Sequence, residues 1–167
     1  PTMAEEITLD DDGYPVDWSI TGTTTFGSSV DEYFRAVDGI ARWRDATGTG
    51  EAVIDDMRFY INQDGSIYSM GLLAQVLLAD DDQRMEVFPA GEASIVERGS
   101  MAFDGADGKR DVTAYEILGL SYNPQLVMLD QDGRFFATAS PRFSMVRAGY
   151  EAADEELRDY AEKLSTE

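Results

Sequence analysis

Along most of the chain, apolar residues return at every second position. In "PVDWSITGTTT", Val16, Trp18 and Ile20 alternate with Asp17, Ser19 and Thr21. That is the period of a strand with one face in a core and the other in water. "VDEYFRAV" is rich in strand formers, with less distinct faces. "IARWRDA" sets Ala41 and Trp43 on one face and Arg42 and Arg44 on the other. "VIDDMRFYI" predicts a further strand, with Val53, Met57, Phe59 and Ile61 on one side and Asp55 intruding. "RMEVFPAGEASIVERGSMAF" predicts two or three more, divided near Pro89-Ala90-Gly91 and Gly99. "RDVTAYEILGL", "QLVMLDQDGRFFATAS" and "RFSMVRAGY" complete the set.

Turn signals separate these runs. Asp-Gly occurs at Asp12-Gly13, Asp38-Gly39, Asp64-Gly65, Asp104-Gly105, Asp107-Gly108 and Asp132-Gly133. Between alternating runs this dipeptide is a strong hairpin signal, because Asp tolerates turn dihedrals and Gly takes positive φ without steric cost. The chain therefore reads as a meander of antiparallel strands. Two segments, "LDDDGYPV" and "LDQDGRFF", also raise the question of calcium. An EF-hand loop with Gly at its sixth position would begin at Thr8 or Met128, and neither side chain is a suitable ligand. A four-residue connection fits better: Asp10 to Gly13 and Asp130 to Gly133 each read as a type I turn closed by a left-handed Gly and a bulge, with Phe135 or Phe136 facing the core. Weak calcium binding by the clustered aspartates is the functional alternative.

Two segments leave the strand period. "SMGLLAQVLLADDD" holds Leu72, Leu73, Val76, Leu77 and Leu78 with only Gln75 polar among them, and predicts a helix over about 69–79 with Ser69 as its N-cap. A helix apolar on nearly every side must be buried all round. Its functional alternative is a lid over a lipid pocket. In "YEAADEELRDYAEKLSTE", Tyr150, Ala153, Leu157, Tyr160 and Leu164 recur at helical spacing opposite an acidic face. This predicts an amphipathic C-terminal helix, or the start of a linker, over 151–167. The whole pattern predicts a mainly β domain over 1–150, a single curved antiparallel sheet or open half-barrel wrapped around the apolar helix.

Composition removes whole classes of chemistry. The chain has no histidine and no cysteine. Histidine-based metal sites, Ser-His-Asp triads, Cys-His dyads and disulfides are therefore excluded within it. No G-x-S-x-G elbow and no phosphate-cradling Gly-rich loop is present, and the only two lysines are Lys109 and Lys163. The expectation is that this chain is not an enzyme and uses no cofactor or metal. Net charge is −20, with 33 acidic residues against 13 basic. Such a surface repels nucleic-acid phosphates and anionic membranes, and suits a salt-rich setting. No apolar run reaches the roughly 18 residues of a membrane span. The chain opens at Pro1 and enters "MAEEITLDDDG", which reads as the interior of a strand and predicts a mature or truncated product.

Two chemistries survive. A carboxylate pair could act on glycans, and the sharpest acids are those on apolar strand faces, Asp55 and Glu116, where burial would raise a pKa. The competing reading is a sheet edge or a salt bridge to an arginine. Alternatively, an apolar small molecule could bind in a cavity lined by Trp18, Phe34, Trp43, Phe59, Leu73 and Leu77, with Phe88 and Phe103 nearby in type.

The order "TLDDDGYPVDWSITGTTTFGSSVDEYF", "ARW", the apolar "GLLAQVLLA", "FPAGEASI" and "LSYNPQLVMLDQDGRFFATASPRFSMVRAGYE" resembles the β-rich, non-catalytic region that precedes the catalytic barrel in exported bacterial amidohydrolase-superfamily proteins. The match is best over Gly119–Glu151. The resemblance implies a barrel partner in cis that would carry the metal-binding histidines, further strands ahead of Pro1, and an exported or periplasmic location. No catalytic role carries over to any residue of this chain. Its architecture is also similar, more distantly, to the half-barrels of lipoprotein carriers, which implies a stand-alone carrier of an apolar small molecule.

Overall fold

The computed structural model describes residues 2–167. Twelve strands and two helices follow in chain order: β1 (Thr2–Leu9), β2 (Pro15–Thr23), β3 (Ser29–Val37), β4 (Ile40–Asp45), β5 (Gly48–Val53), β6 (Phe59–Tyr60), α1 (Tyr68–Ala79), β7 (Arg84–Phe88), β8 (Glu92–Gly105), β9 (Gly108–Leu118), β10 (Gln125–Asp130), β11 (Phe135–Ala139), β12 (Ser144–Val146) and α2 (Asp154–Ser165). The mainly β class, the apolar helix and the C-terminal helix are those the pattern predicts. The strands divide between two open sheets rather than forming one. By packing, the chain forms two compact units, 1–69 with 85–92 and 70–84 with 93–167.

The first unit is built on the antiparallel meander β1-β2-β3-β4-β5. Its inner face carries Trp18, Ile20, Val30, Phe34 and Ala41, all buried. Phe34 stacks on Tyr60 with ring centroids 5.1 Å apart, and Trp18 meets Phe59 and Tyr60 edge-on at 6.0 and 5.8 Å. Such geometries suit the ring quadrupoles and add to the area term. The outer face is a ladder of charges. Arg35, Arg42 and Arg44 pair with Asp17, Glu51 and Asp31. The predicted strand "VIDDMRFYI" does not form. β5 ends at Val53, and only Phe59 and Tyr60 pair again, in parallel with β7. Asp55 and Asp56 are exposed, because in a strand they would put a carboxylate on each face, including the one meant for the core, and Val53 is exposed with them.

In the second unit the strands follow the order β12-β11-β10-β9-β8, all antiparallel. The predicted split at Gly99 is a bulge inside one long strand, β8, with the register shifting between Glu97 and Gly99. Phe103, Val112, Ala114, Leu126, Met128, Phe136 and Ala137 form a core that Tyr150, Ala153, Leu157 and Ala161 close from above. Those last four include three of the five residues that the helical spacing singled out, and Tyr160 and Leu164 pack at the margin. Residues 151–167 thus belong to this unit. A short 3-10 turn at Glu151–Ala153 leads into α2, whose first turn holds Asp154, Glu155 and Glu156 at the positive end of its dipole. Asp154 also accepts the Ser144 hydroxyl at 2.5 Å, which ties the helix to β12.

α1 starts one residue earlier than predicted, and Ser69 does not cap it. The Ser69 hydroxyl lies 2.9 Å from Asn62 Oδ1 and 3.0 Å from the Ser66 carbonyl. From Leu72 to Leu77 every residue but Gln75 is buried, as an all-apolar helix requires. Gln75 Nε2 donates to the Gly133 carbonyl at 2.7 Å.

Candidate functional site

The aspartate-rich turns are where the sequence raises the question of a bound metal. Asp130 Oδ1 accepts the backbone N–H of Asp132 at 2.9 Å and of Arg134 at 3.0 Å. Gly133 closes the turn at φ 76°, where no side chain is sterically free, and the register shifts beside it. Asp10 repeats the arrangement, accepting from Asp12 and Tyr14, both at 2.9 Å. Asp80 does so a third time, accepting from Asp82 at 3.0 Å and Arg84 at 3.4 Å, with Gln83 at φ 52° in the position Gly holds elsewhere. The aspartates are thus engaged in building their own turns. Among the described residues, no three carboxylates converge as a metal site.

Asp130 differs from Asp10 in being buried and paired with Arg147 at 2.9 Å. Burial pushes its carboxyl pKa up. The Arg134 N–H, the Arg147 guanidinium and the Asp132 N–H outweigh that and hold it below the usual carboxylate range.

The first unit contains an acid the sequence reading missed. Glu32 sits on the inner face of β3 between Val30 and Phe34, only 2% exposed. It accepts the Tyr60 hydroxyl at 2.5 Å, the Gln63 N–H at 3.0 Å and the Asp64 N–H at 3.0 Å. Burial, then the Glu32 carboxylate, pushes the Tyr60 phenol pKa well above its ordinary value. A buried charge survives only when its hydrogen-bonding capacity is met, and here it is met by the loop it organises. The small cleft beside it, about 200 Å³, is lined by Asp31, Asp45 and Asp64 as well. Asp64-Gly65 makes no hairpin: the chain runs from it into α1 rather than a strand, and the Asp64 N–H goes to Glu32.

The second unit holds the larger concavity, a groove of about 390 Å³ beneath the C-terminal half of α2. Leu126, Ala139, Ala161 and Leu164 line it together with Pro124, Pro141, Asn123, Ser140, Ser165 and Glu116. It exists because Ala139 and Ala161 are too small to fill the space between helix and sheet. Glu116 continues the row of Val112 and Ala114 on β9, so its carboxylate emerges at the groove wall with its side chain 14% exposed. The β8 bulge aims Arg98 at it, and Arg98 Nε donates to Glu116 Oε1. The Tyr160 hydroxyl lies against Gly99, close enough that a Cβ there would meet it at 2.8 Å. Burial, then the carboxylates of Glu116 and Glu167, raise the Tyr160 phenol pKa, and Arg98 partly offsets them. Tyr122 and Phe143, on the loops that contribute Asn123–Pro124 and Ser140–Pro141, are exposed.

Of the acids singled out from the sequence, Asp55 is exposed and Glu116 is the salt-bridged one. The pocket residues do not line either concavity. Trp18, Phe34 and Phe59 are buried among one another's rings or those of Tyr60 and Phe88. Trp43 stacks on Phe88 at 5.7 Å, and Leu73 and Leu77 are buried in α1. The groove residues Leu126, Ala139, Ala161 and Leu164 carried no distinguishing signal, since each reads as ordinary core.

Fold and site define a mainly β chain with an apolar groove and one ion-paired carboxylate. Compared with family models, curated proteins and solved structures, it matches none.

Proposed function

We propose that the chain is a non-catalytic binding domain that takes a small molecule with an apolar body in the groove beneath α2. The groove itself carries this reading: at about 390 Å³ it falls in the size range of small-molecule sites, with an apolar floor and few polar groups. The lack of histidine and cysteine, and the engagement of Glu116 by Arg98, support the non-catalytic part. Methyl signals of Leu126, Ala139, Ala161 and Leu164 should shift together on titration with small amphiphiles. Ala139→Leu, which fills the groove, should abolish the shifts. Shifts that survive in the filled variant, or that occur only elsewhere, would refute the assignment.

The segment order that resembles the region ahead of an amidohydrolase barrel supports placing this domain in an exported hydrolase, as an accessory to a barrel in cis. Reading the gene beyond the codon for Glu167 tests that context. A downstream segment with H-x-H-type metal ligands is expected, and its absence would remove the hydrolase context without touching the groove.

A further inference from the structure

The groove's walls narrow the class of ligand, on the binding reading just given. Among the described residues, Glu116 is the only charged side chain lining it. Arg98 engages Oε1 through Nε, and no described residue donates to Oε2. Glu116 thus brings its carboxylate to a groove whose other lining is apolar or neutral. The second source of potential is α2. Ala161, Leu164 and Ser165, its last turn, line the groove, so the negative end of the helix dipole lies at the site. Lys163 is in the same turn but is exposed and does not line the groove. The third source is the chain as a whole, at −20, which raises the local concentration of cations and lowers that of anions.

From this we infer that the groove takes an organic cation: an ammonium group at Glu116 Oε2, with its apolar body over Leu126, Ala139, Ala161 and Leu164. An anionic amphiphile of the same shape would set like charges together. A neutral body without a donor would strip water from Oε2 at a cost in free energy, and a neutral hydroxyl would supply only an uncharged hydrogen bond. The ammonium both satisfies that oxygen and leaves the Arg98 contact in place.

Three isosteric probes separate the outcomes: hexylammonium, hexanol and hexanoate, each titrated against the whole chain while the groove methyls are followed. Hexylammonium should bind about tenfold more tightly than hexanol, as a charge-assisted hydrogen bond implies, with hexanoate weakest. Added salt should weaken hexylammonium and leave hexanol unchanged. Glu116→Gln should remove the tenfold preference for hexylammonium and spare hexanol, with far-UV circular dichroism confirming the fold. Should that variant fail to fold, the salt series on the native chain decides alone. Equal affinities, or a preference for hexanoate, would overturn the cation assignment while the groove reading stood. No shift at the groove with any of the three would overturn both.

Discussion

Replacing Asp130 by Asn isolates what burial and an arginine add to a turn that the chain builds three times. Asn keeps the shape, and its Oδ1 can still accept the N–H groups of Asp132 and Arg134. What it loses is the charge facing Arg147 at 2.9 Å. The Asp130 side chain is 2% exposed and that of Arg147 25%, so water replaces little of the pairing. Arg147 keeps its bond to the Phe135 carbonyl at 2.7 Å, which limits the damage. A hydrogen bond to a charged group contributes about 1.5–3 kcal/mol, and the expected cost of Asp130→Asn is about 2–3 kcal/mol. Asp130→Ala also loses the turn acceptor and should cost about 3–5 kcal/mol. Asp10→Asn makes the same change where no arginine is paired, and should cost under about 0.5 kcal/mol. Urea unfolding followed by far-UV circular dichroism measures all three. Indole fluorescence would not serve, because both tryptophans lie in the other unit. The pH dependence has a fixed sign. The carboxyl pKa of Asp130 is depressed in the folded chain, so its stabilisation is complete above the unfolded value, about 4. It is lost as pH falls through the lower folded value. The gap between native chain and Asp130→Asn should therefore be full at neutral pH and close in acid. Equal costs at Asp10 and Asp130, or a gap that stays constant into strong acid, would refute the reasoning.

The left-handed position of the same turns gives an opposed pair. Gly133→Ala meets nothing within 4 Å, so its expected cost of about 1–2 kcal/mol is backbone strain alone. Gln83→Gly relieves a side chain already held at φ 52° and should stabilise by up to about 1 kcal/mol in the same urea assay. Tyr60→Phe removes a donor from buried Glu32 and should cost about 1–3 kcal/mol, read here by indole fluorescence because Trp18 and Trp43 share that unit. Since the Tyr60 phenol pKa is raised in the folded chain, its stabilisation is complete below about pH 10 and falls as pH rises beyond it, so the variant's deficit should shrink in alkali. Glu32→Ala should speed hydrogen exchange at the Gln63 and Asp64 amides, and unchanged exchange would show that the loop is held by something else.

Local chemistry made the strands and most of the turns legible in the sequence. Asp38-Gly39 forms its tight turn with both residues at positive φ, 51° and 78°, because that dipeptide tolerates the conformation wherever two strands need joining. The alternation of Trp18 and Ile20, and the helical spacing from Tyr150 to Leu164, name the buried faces because burial follows backbone period, whereas Val16, at the start of β2, is only half-buried. Glu32 was legible in half: its parity with Val30 and Phe34 places it on the inner face, but Tyr60, which makes burial tolerable, arrives 28 residues later. Tertiary structure alone decided that "VIDDMRFYI" breaks, that the strands divide between two sheets, and that Ala139 and Ala161 fall opposite one another to leave a groove with Glu116 at its wall. A residue's period fixes which way it faces. Whether the space in front of it is filled depends on which distant segment comes to lie there.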